Sequence, residues 1–457
     1  MDYSAANTAL WNVILQFGLM SAAVIAANFL RRKIGFFRRS LMPTAVLAGF
    51  LLLILRSLGI LNMDSALLEM TTYHGIAIGF IAMSLRTNDG SQKTGGLVGA
   101  KSGALIVSTY LVQAIIGIVC CLLLVWTVKP DLFKAAGVLL PMGYGQGPGQ
   151  ANNVGGTYEA LGFAGGRSFG LSLAAAGYLT ACIVGVIMLN VFIRKGSVKR
   201  IQHEELSGSV TVDTFQDKGE MPLSESLDKF SMQMALVIIS YLITYLLTRG
   251  LTAGIALISE GLANTVNSLL WGFNFIIASM VALLIKMLLQ KLRNRGLVHR
   301  QYQNNYLLNR ISGLAFDMMI VAGIASIEIS DLSGLWVPFL VLAVAGAVLT
   351  WLYLAWLCKK VYPGYYYEGL MSMFGMLTGT ISSGILLLRE IDPEYKTPAA
   401  NNLVLGSTFG IGFGFPVLIL VGMAPKSDLL LTVVLIACIV YLAALLLFIL
   451  RAGKKKK

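Results

Sequence analysis

Charged residues are scarce in this sequence. They make up 12% of its 457 residues, and histidine occurs only three times. A soluble domain carries roughly 25% charged residues. Hydrophobic residues instead reach 56%, and the mean hydropathy is +0.76. The composition excludes an ordinary soluble domain and predicts an all-α polytopic membrane protein, because helices satisfy their own backbone hydrogen bonds in lipid.

Cysteine is also scarce, and its distribution favours neither a disulfide framework nor a zinc site. There is no Cys-x-x-Cys motif and no nearby histidine pair. All five cysteines fall within or beside apolar segments: Cys120, Cys121, Cys182, Cys358 and Cys438. The sequence likewise lacks a His-Glu-x-x-His motif and a phosphate-binding loop. We therefore expect no cofactor and favour a protein that is not an enzyme.

Basic residues exceed acidic ones, with 35 Lys and Arg against 22 Asp and Glu and a formal net charge of +13. They cluster in loops between apolar segments, so we expect no nucleic-acid partner. Short cytoplasmic loops of membrane proteins are enriched in Lys and Arg. With the N-terminus outside, only five basic residues fall on the outer side: Arg56, Lys129, Lys134, Arg249 and Lys426. This predicts a multi-pass protein of the inner (plasma) membrane with a cytoplasmic C-terminus.

Apolar segments of roughly 17 to 25 residues cross a bilayer as helices. Such segments are predicted at 9–29, 41–61, 66–85, 102–127, 168–193, 232–248, 267–289, 311–329, 334–358, 398–422 and 428–450. Two further stretches, 139–167 and 369–392, are interrupted by glycines, amides and hydroxyls. Such backbone is tolerated at membrane depth only when it is buried in protein or lines a watery cavity. We therefore predict two re-entrant hairpins.

The spans and hairpins fall into two halves, each with five spans and one hairpin. Because five is an odd number, the second half begins on the opposite side of the membrane from the first. This predicts an inverted-topology repeat, in which paired broken segments form the binding site. The predicted parts are a first membrane repeat at 1–193, a cytoplasmic linker at 194–230, a second membrane repeat at 231–422, and an extra C-terminal helix with a basic tail at 423–457.

The first hairpin has glycine at every second position from 143 to 149. Such backbone can run extended and approach a ligand closely, and the amides that follow add neutral hydrogen-bonding groups. A glycine-rich packing surface between helices is the alternative. The candidate solute-binding residues are Gly145, Gly147, Gly149, Gln150 and Asn152.

The second hairpin concentrates hydroxyls and glycines at mid-segment, at Thr378, Gly379, Thr380, Ser382 and Ser383. Hydroxyls and freed carbonyls suit a dehydrated sodium ion, and the N-terminus of a half-helix suits a carboxylate. The alternative is that these hydroxyls bond back to their own helix. In the next span, Asn401 is placed to reach the base of this hairpin and is a further candidate for solute binding.

Ionisable side chains within predicted spans include Glu69, His74 and Asp317. Such groups are costly in hydrocarbon and are candidates for function, facing the bundle interior. Asp317 is the deepest and joins the hydroxyls of the second hairpin as a candidate sodium ligand. A buried structural ion pair is the alternative reading.

One enzyme pattern is present, because Gly166 to Gly170 fits Gly-x-Ser-x-Gly. That motif needs a strand-to-helix turn and a partner base, whereas here it opens a membrane helix. The alternative function is thus an intramembrane serine hydrolase using Ser168 and His74, which requires the two side chains to lie within reach of each other. A membrane sensor is a third possibility, but the linker is too short for a signalling domain.

Four segments carry a resemblance to a known family: PTAVLAG at 43–49, IAMSLR at 81–86, GQGPGQA at 145–151 and ISGLAF at 311–316. On these the chain resembles the bacterial sodium/glutamate symporter family, at a distance but over nearly its whole length. The family's hairpin histidine corresponds to Gln146 here, and its threonine to Pro148. Asp317 has no counterpart in the family pattern.

The resemblance implies a homodimeric secondary carrier, in which a transport domain holding both hairpins moves against a scaffold. It implies symport of sodium, or of protons, with a small anionic solute such as glutamate or a related amino or carboxylic acid. The family's binding positions correspond to Gly145, Gln146, Gly147 and Gly149 in the first hairpin and to Gly375, Gly379, Thr380 and Ser382 in the second.

Overall fold

The computed structural model describes residues 3–4, 7–39, 42–87, 96–198, 229–258, 270–271, 274–297, 300–392 and 396–452. The side chains of residues 9, 38, 39, 382 and 404 lie outside this description. Most of the predicted linker at 194–230, the start of the predicted span at 267–289 and the last residues of the basic tail also lie outside it.

Helices dominate the described residues, which contain no strand. The α-helices are α1 (Thr8–Lys33), α2 (Gly35–Arg39), α3 (Thr44–Ser57), α4 (Ser65–Leu85), α5 (Gly96–Thr127), α6 (Pro148–Ala160), α7 (Gly166–Arg194), α8 (Lys229–Ile258), α9 (Asn274–Asn294), α10 (Asn305–Ala325), α11 (Trp336–Val361), α12 (Tyr366–Thr378), α13 (Ile381–Arg389), α14 (Ala399–Met423) and α15 (Asp428–Arg451). Two 3-10 helices, Lys134–Val138 and Ile329–Leu332, and a π-helical turn, Pro141–Gly145, complete the described elements.

Ten of these helices are long and apolar enough to cross a membrane: α1, α4, α5, α7, α8, α9, α10, α11, α14 and α15. The prediction of an all-α polytopic membrane protein is confirmed at this level. The predicted span at 41–61 is shorter than expected, since α3 has only 14 residues. It begins after Pro43, which lacks a backbone N–H, and Gly59 follows its end with a φ of 70°. The span predicted at 311–329 is displaced, because α10 ends at Ala325.

The chain forms two compact units. Unit 1 comprises Met1–Glu69, Lys93–His203 and Ile320–Lys457, and unit 2 comprises Met70–Gln92 and Glu204–Met319. Both interrupted stretches predicted from the sequence belong to unit 1. Unit 2 contains α8, α9, most of α4 and most of α10.

In unit 1, α5 lies against α11, α14, α15 and the 3-10 helix Lys134–Val138. Glycine allows the closest of these approaches. A Cβ atom built on Gly117 would lie 2.0 Å from the carbonyl oxygen of Gly137, and one on Gly103 would lie 2.6 Å from Cβ of Phe409. Small residues let membrane helices approach until their backbones touch.

Unit 2 has its own apolar core. Its buried members come from α4, α8, α9 and α10: Ile81, Ala82, Leu85, Val237, Ala278, Ala282, Leu308 and Ile311. Glycines of α4 again allow close contact, since a Cβ on Gly75 would lie 3.1 Å from the carbonyl oxygen of Ala315. Within this unit, His74 Nδ1 and the hydroxyl oxygen of Tyr241 are hydrogen-bonded to each other at 2.7 Å.

Each stretch singled out as a hairpin is a helix interrupted at glycine. In the first, the π-helical turn ends at Gly145, and α6 starts at Pro148 after Gly147 adopts a φ of 87°. Pro148 cannot donate to the preceding turn and disfavours helical geometry in the residue before it, so the helix must restart there. In the second, α12 ends at Thr378, and α13 starts only after an extended Thr380.

Candidate functional site

The two interruptions meet inside unit 1. A methyl group built on Gly147 would lie 3.7 Å from Cγ2 of Thr380, 3.8 Å from the carbonyl oxygen of Gly379 and 3.8 Å from the hydroxyl oxygen of Tyr178. Gly147 and Gly379 are buried, and Thr380 is half-buried. The structure thus brings together residues of the first and second stretches that the sequence suggested as solute-binding.

Two helix N-termini begin at this meeting point. Gly147 is the N-cap of α6 and Thr380 is the N-cap of α13, and neither helix end receives a capping hydrogen bond from that residue's side chain. The first amides of a helix have no partner within the helix, and the helix dipole places roughly half a positive charge at this end. Convergent N-termini of this kind favour a bound anion.

Buried side-chain oxygens without hydrogen-bond partners in the described residues lie on the helices of the two interruptions and on their neighbours. Within the described part of the chain, those on the helices that form or flank the two interruptions include Gln113 Oε1, Gln150 Oε1, Asn152 Oδ1, Thr380 Oγ1 and Ser383 Oγ. A buried polar atom without a partner costs about 1–3 kcal/mol. Such atoms are rare in native structures and call for a ligand, a water or an ion. Gln150 is 1% exposed, so its amide is held inside the protein.

Gln113 is a site residue that the sequence reasoning missed. It lies in the middle of α5, is 0% exposed, and donates from Nε2 to the carbonyl oxygen of Leu377 at 2.9 Å and to Thr350 Oγ1 at 3.0 Å. A Cβ atom on Gly145 would lie 2.8 Å from its Oε1. One signal pointed to it, because Gln113 is the single amide side chain in the predicted span at 102–127.

Several other candidates of the first stretch are buried beside the interruption. Gly149 and Asn152 lie in the first turns of α6, and Gln146 is half-buried at the end of the π-helical turn. Gly145 has a packing role as well, since a Cβ there would lie 2.5 Å from the ring of Tyr110. The glycine-packing alternative therefore accounts for part of this glycine run.

In the second stretch, packing and hydrogen bonding within the helix account for two candidates. A Cβ on Gly375 would lie 2.8 Å from Cα of Gly384, so Gly375 lets α12 and α13 touch. The hydroxyl of Thr378 donates to the carbonyl oxygen of Phe374 at 2.8 Å, which is the bond to its own helix considered above. Ser383 is 3% exposed and keeps an unpartnered oxygen within the described residues. The side chain of Ser382 lies outside the described part.

The remaining candidates lie farther along the chain. Asn401 is half-buried in α14, where its neighbour Asn402 donates to the hydroxyl of Tyr365 at 2.7 Å. Asp317 belongs to unit 2, where it lies exposed on α10. Glu69 forms an ion pair with Arg167 in unit 1, in line with the structural alternative for this carboxylate.

Ser168 and His74 belong to different units, and each has its own hydrogen-bond partners. The Ser168 hydroxyl donates to Asp331 Oδ2 at 2.8 Å and accepts from the backbone N–H of Glu328 at 3.2 Å. These bonds tie the start of α7 to the segment before α11. They assign Ser168 a structural contact.

The comparisons with known proteins identify no relative: no family model, curated protein or solved structure matches the chain. No group of three or more His, Cys, Asp or Glu side chains in the described residues could hold a metal ion. The functional interpretation therefore depends on the geometry of the two interruptions.

Proposed function

We propose that this protein is a secondary active transporter that couples the movement of a small anionic solute to a cation. The observation that carries the proposal is the meeting of two interrupted helices at Gly147 and Thr380. Broken helices whose ends converge at membrane depth are the usual construction of a transporter binding site. An apolar packing contact would not need the polar groups that accompany the interruptions.

The solute is anionic because the meeting point offers positive potential. The N-termini of α6 and α13 each contribute roughly half a positive charge, and the glycine at 147 lets a ligand approach the backbone closely. Glutamate or a related amino or carboxylic acid fits this chemistry, and the neutral amides of Gln150 and Asn152 supply further hydrogen-bonding groups. Both amides are buried.

The cation is sodium in this proposal, with a proton as the alternative. Buried hydroxyl and amide oxygens without hydrogen-bond partners in the described residues, such as those of Ser383 and Thr380, are hard ligands of the type that hard cations prefer. The two half-charges together balance about one carboxylate. A cation bound beside the solute would balance the second carboxylate of a solute such as glutamate. Solute and cation would then strengthen each other's binding by the same factor.

The proposed mechanism is alternating access of the elevator type, by an inverted repeat with two re-entrant hairpins. Its support is that α5, the first interruption and α7 are followed, later in unit 1, by α11, the second interruption and α14 in the same order. A unit that contains both halves of a binding site can move as one body. We further propose a homodimer in the inner membrane, with the N-terminus outside.

Uptake into proteoliposomes tests the proposal. The purified protein is reconstituted and offered radiolabelled glutamate, aspartate and small dicarboxylates, with sodium and proton gradients imposed separately. Uptake that requires one gradient and collapses with an ionophore for that ion is the expected result. Binding of none of these anions to the purified protein, together with no gradient-driven uptake, would reject the proposed function.

A further inference from the structure

Gln113 connects the two interrupted helices from a third helix, α5. Its Nε2 donates to the carbonyl oxygen of Leu377, one residue before the end of α12, and to Thr350 Oγ1 in α11. The last carbonyls of a helix have no partner within it, so Gln113 satisfies one that the second interruption frees. Its other side abuts Gly145, at the end of the turn before the first interruption.

The orientation of this amide is fixed by its own hydrogen bonds. Oxygen and nitrogen of a glutamine are often interchangeable in a structure, but here the group that faces a backbone carbonyl must be the NH₂. The atom on the other branch is therefore Oε1, an acceptor, and it has no hydrogen-bond partner within the described residues. A residue that served only to cap Leu377 would not need to bury this second, unpaired oxygen.

We infer that Oε1 of Gln113 is a ligand of the coupling sodium ion. This inference rests on the proposed transport function and adds a residue to it. An amide oxygen is a suitable ligand for a hard cation. The side chain is 0% exposed, and the ring of Tyr110 and the backbone of Gly145 lie close to it, which suits a monatomic ion better than a hydrogen-bonding group of the solute.

Two substitutions of Gln113 distinguish a role in binding sodium from a role in capping the carbonyl of Leu377. Gln113→Glu and Gln113→Met both remove the NH₂ that caps Leu377, but only glutamate keeps an oxygen at the ligand position. The measurement is the thermal stabilisation of the purified protein in detergent by sodium chloride, with potassium and choline chloride at equal ionic strength as references. Gln113→Met should weaken apparent sodium affinity about tenfold or more, as loss of an interaction with a charged group does. Gln113→Glu should bind sodium at least as tightly as the wild type.

Thr350→Val is the matched control, because it removes a hydrogen-bond partner of Nε2 and leaves Oε1 in place. Its sodium affinity should stay within about threefold of the wild type.

Equal losses of sodium affinity in Gln113→Glu and Gln113→Met would assign Gln113 to capping alone and overturn the inference. If Gln113→Met does not fold, weakened sodium binding by folded Gln113→Glu has the same meaning. A wild type that binds the solute but is not stabilised by sodium rejects the inference while sparing the anion site. A wild type that binds neither rejects both.

Discussion

The carbonyl oxygen of Thr378 points at Gly177 of α7 with no side chain between them. A Cβ atom built on Gly177 would lie only 2.2 Å from that oxygen. The first interrupted stretch rests on the same helix, since a Cβ on Gly143 would lie 2.8 Å from the backbone nitrogen of Ala174. Both interrupted stretches therefore pack directly against the backbone of α7.

Gly177→Ala should displace the end of α12 and weaken solute binding. The added methyl overlaps the Thr378 carbonyl, and overpacking of this kind costs about 1–3 kcal/mol. We expect solute affinity to fall about tenfold or more, since each 1.4 kcal/mol is about a factor of ten. Solute affinity is measured by isothermal titration of the purified protein. Gly18→Ala in α1 is the control, because nothing lies within 4 Å of a Cβ there. Equal solute affinities for both variants would show that the packing of α12 against Gly177 does not affect solute binding.

Gly147→Ala should abolish close approach of the solute to the first interruption. The residue has a φ of 87° and a ψ of −174°, a region that is almost confined to glycine. Part of the effect will be strain of about 1–3 kcal/mol, so Gly162→Ala provides a comparison. Gly162 also has a positive φ, at 100°, with nothing within 4 Å of a Cβ. Both variants should lose thermal stability, but only Gly147→Ala should lose solute binding. Loss of solute binding in both variants would mean that backbone strain alone explains the effect of Gly147→Ala.

The interruptions were predictable because their residue types disfavour a continuous helix. Pro148 after Gly147, and the glycine at 379 among hydroxyls, are local signals that need no tertiary information. The role of Gln113 was not predictable in this way. Its significance depends on Leu377, which lies far along the chain and becomes a neighbour only after folding. The only local signal for it is that it is an isolated amide in an apolar span.

Other differences between prediction and structure have similar physical causes. Hydropathy alone extended the second predicted span to 41–61, because the residues around α3 remain apolar beyond its ends. The hydroxyl of Thr378 donates to the carbonyl oxygen of Phe374 in its own helix. Composition could not distinguish this bond from ion binding, since a hydroxyl group can do either. Asp317 was placed correctly within a helix, but its exposure depends on which neighbours cover α10.

Asp317→Asn should change the ion dependence of uptake if this carboxylate takes part in coupling. An acidic group within a membrane helix is costly unless it binds a cation or exchanges a proton. The amide keeps the size of the side chain and removes its charge, so the protein should remain folded. The measurement is uptake as a function of sodium concentration and, separately, of external pH. Unaltered coupled uptake by the folded variant would remove Asp317 from the candidate sodium ligands.

Arg56→Met should destabilise unit 1 by about 1–3 kcal/mol. The guanidinium donates to the carbonyl oxygen of Ala325 at 3.1 Å and to Ser65 Oγ at 2.6 Å, and it pairs with Glu328. Its side chain is 14% exposed, so water cannot replace all three partners. Thermal denaturation in detergent measures the change, and any uptake by the wild type should persist in the folded fraction of the variant.

The comparison for Arg56 is Lys134→Met, which breaks an ion pair with Asp428 in unit 1. These side chains are 41% and 75% exposed, and exposed pairs are worth about 0–1 kcal/mol. Lys134→Met should therefore shift the denaturation midpoint much less than Arg56→Met. Equal shifts would mean that the contacts of Arg56 contribute no more than an exposed ion pair.

The distribution of basic residues predicts the membrane topology, and cysteine labelling tests the prediction. With the N-terminus outside, the predicted linker is cytoplasmic and the connection between α14 and α15 is external. In intact cells, a membrane-impermeant maleimide should label a cysteine introduced at Lys426 but not one at Ser207, which lies outside the described residues and should react only after permeabilisation. Lys426 is preferable to Ser427, whose side chain caps α15 by accepting from the backbone N–H of Leu430 at 3.2 Å. The parent protein gives the background, since its native cysteines are buried or half-buried in helices. If both positions react from the same side, the two halves cannot have opposite orientations, and the inverted repeat is wrong.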